Sequence, residues 1–344
     1  MFKGLKPIQY NGQEVWPLIE GGKGVAATNH ASSGAWAAAG GIGTVSAVNA
    51  DSYDEDGNVI PQIYHGRKRE ERHQELIQYG IDGAVAQVTQ AYEIANGKGA
   101  ININVLWEMG GAQQVLEGVL EQTKGMVAGV TCGAGMPYKL SEIAQKYGVN
   151  YLPIISSARA FRALWKRAYH KVPDLMAAVV YEDPWLAGGH NGLSNAEDPK
   201  KPEDPYPRVK ALRETMRGEG IADSVPIVMA GGVWHLRDWQ DWIDSEELGQ
   251  IAFQFGTRPL LTKESPIPES CINSRRPAST VLRSATSFCA AWNPGPSGKF
   301  PIRQKRPVNI PTSSTSGSRA RITGLPAMTC CAPANGMAWD LPWR

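Results

Sequence analysis

Over the first 270 residues, short apolar and β-branched runs alternate with stretches of helical periodicity. The runs are "WPLIE" (16–20), "GTVSAV" (43–48), "ININVLW" (101–107), "MVAGVT" (126–131), "NYLPIIS" (150–156), "LMAAVVY" (175–181), "VPIVMA" (225–230) and "QIAFQFG" (250–256). Between them the spacing of apolar positions predicts helices over 31–39, 68–96, 112–123, 138–147, 158–168, 206–218 and 235–247. Runs that are apolar at nearly every position suit strands buried on both faces, as in a parallel sheet sheathed by helices. Eight such strands in about 250 residues predict an α/β chain folded as a (β/α)8 TIM barrel. A doubly wound open sheet is the competing architecture.

The glycines separate the two. They follow strand segments directly: "EGGKG" after the first, "CGAG" after the fourth, "AGGHNG" after the sixth, "AGGV" after the seventh and "FGTR" after the eighth. Glycine lets backbone approach a ligand closely and adopt positive φ. An open-sheet dinucleotide fold gathers its glycines in one βα turn, and no GxGxxG is present. Glycine at five strand ends points instead to one ligand over the C-terminal mouth of a barrel.

This regularity stops after Ser270. Residues 271–344 hold no sustained period of 2 or 3.6, are rich in Ser, Pro, Thr and Arg, and break any longer helix with Pro. Ten of the 35 Lys/Arg but one of the 33 Asp/Glu (Asp340) lie there, which leaves residues 1–270 with a net charge of −7. Cys132 belongs to the body, and Cys271, Cys289, Cys330 and Cys331 to the tail. The domain reading is a barrel over 1–270, its eighth helix missing or improvised after "TKESPIPES", and an irregular basic tail over 271–344 with little order. The abrupt loss of acids and of pattern reads as an out-of-frame segment. A nucleic-acid role is set aside because the tail lacks regularly interleaved aromatics.

"MFKGLKPIQYNG" lacks the apolar core of a signal peptide, and "GAWAAAGGIGTVSAV" is short for a membrane span. A cytoplasmic protein without membrane contact is expected. No CxxC or Cys/His spacing suggests zinc, so no metal is expected.

The strongest chemical signal joins "MAGGVW" (229–234) to "FGTRPLLTKES" (255–265). Loops after the seventh and eighth strands of such barrels often hold phosphate. Gly231 and Gly232 would present amides, Gly256 and Thr257 an amide and a hydroxyl, and Arg258 a positive charge. After the sixth strand, "WLAGGHNG" places His190 on a glycine loop, where by itself it reads equally as a site or as a polar turn.

In their order, "EGGKG", "AAAGGIGTVSA", "INVLW", "CGAGMP", "AGGHNG", "MAGGV" and "QFGTRPLLTKES" resemble the nitronate monooxygenase (2-nitropropane dioxygenase-like) family over about residues 15–268. The resemblance implies an FMN-dependent barrel that oxidises alkyl nitronates with dioxygen to a carbonyl compound and nitrite. It implies that Gly21 and Gly22 pass beside the flavin ring and that Asn104 hydrogen-bonds the cofactor. It further implies that Gly188 and Gly189 approach the flavin, that Gly231, Gly232, Gly256 and Thr257 hold its phosphate, and that His190 is the active-site histidine. Lys23 stands where the family commonly has Met, Leu186 where it often has Glu, and Ser156 where some members have Lys. A flavin-dependent enoyl reductase using NAD(P)H on the same barrel is the rival enzyme, and a frameshifted inactive product the rival of another class. The expected partners are a small nitronate or related molecule and dioxygen, and a homodimer is left open.

Other polar residues carry less. His235 after "AGGVW" could lie near the phosphate but reads rather as a helix-start surface residue; His30 could line the mouth, but the segment reads rather as Asn29 and Ser32 capping the first helix. His65, His73 and His170 sit among charges and read as solvated. Cys132, ending the fourth strand, is expected to face the mouth as a small packing residue. Trp185 and Trp234 would line an apolar substrate wall, or serve as ordinary interface aromatics. "NADSYDEDGN" (49–58) superficially resembles a calcium loop but lacks its spacing, and reads as a solvated loop.

Overall fold

The computed structural model describes residues 5–24, 27–188, 197–198 and 200–267. A two-stranded antiparallel hairpin, β1 (Ile8–Tyr10) and β2 (Gln13–Val15), precedes eight parallel strands. These are β3 (Leu18–Glu20), β4 (Ile42–Ser46), β5 (Ala100–Leu106), β6 (Gly129–Gly133), β7 (Asn150–Ile155), β8 (Val179–Glu182), β9 (Ile227–Ala230) and β10 (Ile251–Phe255). They close in chain order, β10 pairing with β3 through Phe253–Leu18, Gln254–Ile19 and Phe255–Glu20. The eight expected strands and their closure into a TIM barrel are therefore observed.

Helices α1 (His30–Ala38), α2 (Arg69–Ala95), α3 (Ala112–Gln122), α4 (Leu140–Tyr147), α5 (Ala158–Arg167), α6 (Pro205–Gly218) and α7 (Gln240–Ile243) fall within the predicted windows, except that α1 and α6 each begin one residue earlier. The last window is broken, because a 3-10 turn over Leu236–Trp239 leaves α7 a single turn. Another 3-10 turn, Arg258–Leu261, follows β10. The tail reading and the fate of the eighth helix fall on residues 268–344, outside the described residues.

Strand alternation makes two apolar layers. Ile19, Ile42, Leu152, Val180, Val228 and Ala252 form the barrel interior with the hairpin residues Ile8, Tyr10 and Val15. Leu18, Val45, Ile103, Val130, Val179, Met229 and Phe253 face the helices. The hairpin, which the sequence pattern did not reveal, thus plugs the bottom of the barrel. There the Tyr10 hydroxyl donates to Asn102 Oδ1 at 2.7 Å. Gly129 is required at this spot, since a Cβ would lie 2.0 Å from the Tyr10 oxygen.

α1 is held against β4 more closely than side chains would allow: a Cβ on Gly43 would meet the Ser33 carbonyl at 1.9 Å. Its start carries the expected cap, Asn29 Oδ1 accepting from the Ser32 amide at 3.2 Å and Ser32 Oγ accepting from the Asn29 amide. Among the described residues, no helix is long and apolar enough to cross a membrane.

Candidate active site at the barrel mouth

At the C-terminal ends of the strands, alternation turns Gly21, Ser46, Asn104, Thr131, Ile154, Glu182 and Gln254 toward the barrel axis, above the apolar interior. The Gly21 amide donates to the Phe255 carbonyl at 2.9 Å, tying the first turn to the end of β10. Gly22 lies so near β5 that a Cβ would stand 2.2 Å from Asn104 Oδ1. That oxygen is buried and has no hydrogen-bond partner among the described residues. A buried acceptor without a donor is costly, and a donor group of a bound molecule would relieve it.

Behind the same turn lies a charge pair absent from the sequence reading, its acid buried and its lysine half-buried. Lys23 Nζ donates to the Gly21 carbonyl at 2.6 Å and stands 3.8 Å from Glu20 Oε1. The Lys23 amide donates to Thr28 Oγ1 at 2.9 Å, closing the turn from the other side. Burial pushes the Glu20 carboxyl up, against the opposing pull of Lys23. Burial likewise brings the Lys23 amine down to about 8, against the pull of Glu20.

The opposite side of the mouth is open. Gly231 and Gly232 hold φ of +103° and +69°, a region costly for other residues, so the turn after β9 requires them. A Cβ at Gly256 or Gly188 would meet none of the described residues within 4 Å. Gly188, Gly232, Gly256 and Thr257 are exposed. Arg258 joins the two loops, its Nη1 donating to the Trp234 carbonyl and lying 3.1 Å from His235 Nδ1. Burial first, and then the neighbouring Arg258, hold the His235 imidazole below its usual range. His235 directly precedes the 3-10 turn over Leu236–Trp239, in keeping with its helix-start reading, but it is half-buried beside Arg258.

The loop after β8 stands on two residues the sequence reading missed. Buried Asp183 accepts from the amides of Trp185 at 3.0 Å and Leu186 at 2.8 Å, and from the Tyr181 hydroxyl at 3.2 Å. Arg208, near the start of α6, donates to the Tyr181 hydroxyl and the Ser156 carbonyl, each at 2.9 Å. It pairs with Glu197 at 2.5 Å and Glu203 at 2.7 Å, and its guanidinium lies 5.1 Å from the Trp185 ring centre. An acid followed by Pro at a strand end is a turn signal that could have flagged Asp183. Nothing in the spacing singles out Arg208 among the arginines of α6.

Gly21, Gly22 and Asn104 come together, as do Gly231, Gly232, Gly256 and Thr257, while Gly188 lies on the loop after β8. His190 and Gly189 lie outside the described residues. Cys132 does not face the mouth: it is fully buried in the layer between strands and helices, because strand alternation turns it outward. Burial pushes its thiol far up. Residues 54–58 form a turn in which Asp54 Oδ1 accepts from the Asn58 amide at 2.7 Å, and they are exposed. His30 packs edge-on against Tyr53 with ring centres 5.4 Å apart.

A closed barrel of eight parallel strands with glycine turns at its strand ends is of the TIM-barrel class, whose sites are built from the loops at the C-terminal face. The particular family follows from the sequence: the family model for nitronate monooxygenase matches residues 11–279, and the chain belongs to that family. Membership places it among oxidoreductases.

The sequence matches none of the curated proteins. Among solved structures it is similar to nitroalkane oxidase from Streptomyces ansochromogenes, with 15% identity, a TM-score of 0.50, and 73% of this chain and 68% of that chain covered. It is also similar to FabK from Thermotoga maritima, with 19% identity, a TM-score of 0.48, and 74% and 61% covered. The chain thus spans less than two thirds of the FabK structure. These likenesses concern the fold.

Proposed function

We propose that the protein binds FMN at the barrel mouth and oxidises alkyl nitronates with dioxygen, giving a carbonyl compound and nitrite. Family membership over residues 11–279 carries this reading, and the residues at the mouth fit the cofactor. The unpartnered Asn104 Oδ1 suits a ring N–H donor, and the open turns at Gly231, Gly232, Gly256 and Thr257 suit a phosphate. Gly21, Gly22, Gly188 and Gly189 would flank the ring. Bound FMN supplies the electron acceptor that a nitronate carbanion needs.

The chain's own work is to orient the substrate and to manage its charge and protons. Leu186 and Trp234, 50% and 41% exposed, present apolar surface beside the Gly232 turn and suit an alkyl chain. His190, on the loop whose stem Asp183 and Arg208 secure, would take the α-proton of a neutral nitroalkane or hold an anionic nitronate as imidazolium.

The test is anaerobic. The purified protein is expected to be yellow, to release FMN on denaturation, and to bleach with ethyl nitronate alone. Bleaching by NAD(P)H but not by nitronate would replace this reading with an enoyl reductase, and a colourless chain would leave an inactive product. His190→Asn is expected to keep FMN and lose most turnover with neutral nitroethane; unchanged turnover would remove His190 as the base.

A further inference from the structure

The charge pair behind the first glycine turn has no part in the chemistry above, and its geometry is unlike that of a surface pair. Glu20 is 1% and the Lys23 side chain 17% exposed. The Lys23 ammonium is fastened to Gly21, whose amide is fastened to β10, and the next residue, Gly22, touches Asn104. The cation cannot swing to solvent without releasing a turn built into the mouth. A buried ion pair contributes little net stability compared with apolar residues of similar volume. In a site partly screened from water, however, such a charge acts strongly on a nearby ligand charge.

We propose that the Lys23 ammonium, locked behind the Gly21–Gly22 turn by the Gly21 carbonyl and the Glu20 carboxylate, is a positioning charge that favours reduced, anionic flavin over oxidised flavin at the mouth. The inference rests on the FMN reading above. Lys23 acts through the turn and through its field, so it is not a catalytic residue.

Its surroundings make the effect titratable. Among the described residues, the charged group acting on Lys23 is Glu20. Glu20 in turn faces Lys23, the hydroxyls of Ser32 and Ser33 on α1, and the backbone of Thr44 on β4. Gln254 of β10 and Asn104 of β5, which border the turn, are neutral, and His30 at the start of α1 packs on Tyr53. With its amine brought down to about 8, Lys23 is charged at neutral pH and loses its charge in mildly alkaline solution. A ligand that prefers the ammonium must then bind more weakly as pH rises through that value.

The experiment follows the midpoint potential of the bound flavin in the holoenzyme from about pH 7 to about pH 9.5, with free FMN as the reference at each pH. The potential reports the ratio of reduced- to oxidised-flavin affinity. In the wild type this ratio is expected to fall about tenfold across the range, the effect of a one-unit change in the pKa of one coupled group. Lys23→Met is expected to be flat at the low ratio, and Lys23→Arg, whose charge does not titrate, flat at the high one. Glu20→Gln should move the break to lower pH, because the carboxylate that favours the ammonium is gone. A wild-type break that survives in Lys23→Met would overturn the proposal, as would a Lys23→Arg protein indistinguishable from Lys23→Met. A wild type that holds FMN but shows no break defeats this inference alone, whereas one that holds no FMN defeats the functional reading with it.

Discussion

Helix α6 carries two arginines five residues apart that serve opposite ends of the barrel. At the bottom, Arg213 is 1% exposed and donates to four backbone carbonyls: Leu248 and Ala222 at 2.6 Å, Gln250 at 2.8 Å and Val225 at 2.9 Å. These belong to the approaches to β9 and β10, where the Gln250 carbonyl also accepts from the Ile227 amide, so one side chain satisfies several carbonyls where the ladder begins. At the mouth, Arg208 binds two acids, a hydroxyl, a carbonyl and a tryptophan ring, nearly all of them side chains or loop. Around Arg213 the protein is dense and satisfied, and around Arg208 it opens onto exposed glycines. The bottom is built to stay shut, while the mouth keeps backbone available to something else.

This contrast makes Arg213 the costliest of the two to remove. Arg213→Leu should lower stability by about 3–5 kcal/mol, since it leaves several buried carbonyls without donors. Urea denaturation of the two proteins measures it. Burial brings the Arg213 guanidinium down to about 10, so the side chain stays charged at neutral pH and Arg213→Lys should recover part of the loss. A cost for Arg213→Leu under about 1 kcal/mol would mean that water replaces the guanidinium, and the bottom would not be the sealed end.

The barrel was legible because its signals are local and repeated: an apolar run for each strand, and glycine at strand ends. The β1–β2 hairpin was missed because three-residue strands leave too short a pattern, and its worth comes from plugging the interior with Ile8, Tyr10 and Val15. The glycines of the mouth could be named, but not their separate reasons. Gly22 is needed for contact with Asn104 and Gly231 for its positive φ, two demands that look alike in sequence. Cys132 was misplaced because the parity of one strand decides which face a residue takes. Arg208 and Arg213 were invisible because contacts made across the fold leave no periodicity, and the Glu20–Lys23 pair because spacing outside a helix does not say that two side chains meet.

Arg208→Met should have a middling effect on stability, about 1–3 kcal/mol, and a larger one on the mouth. Glu197, only 14% exposed, would lose its ion pair with Arg208, and Trp185 its covering cation. If Arg208 serves the loop after β8 and not the barrel, FMN should stay bound while turnover with nitroalkanes falls. The ratio of turnover lost to stability lost should therefore be greater for Arg208→Met than for Arg213→Leu. Equal ratios would erase the distinction between the two ends.

The finest division lies between two glycines of the open side. Alanine at Gly231 must adopt φ near +103° and set its Cβ 3.0 Å from the Ala187 amide nitrogen, so a loss of about 1–2 kcal/mol is expected. At Gly256 neither strain exists: φ lies outside the left-handed region and the added methyl meets none of the described residues within 4 Å. Stability of Gly256→Ala should stay within about 0.5 kcal/mol of wild type. If that open space receives the phosphate, the methyl occupies part of it, and FMN affinity should drop about tenfold, or 1.4 kcal/mol. Fluorescence titration of released and rebound flavin separates the two quantities. A Gly256→Ala protein with both stability and FMN affinity unchanged would remove the turn after β10 from the site and leave phosphate recognition to Gly231 and Gly232.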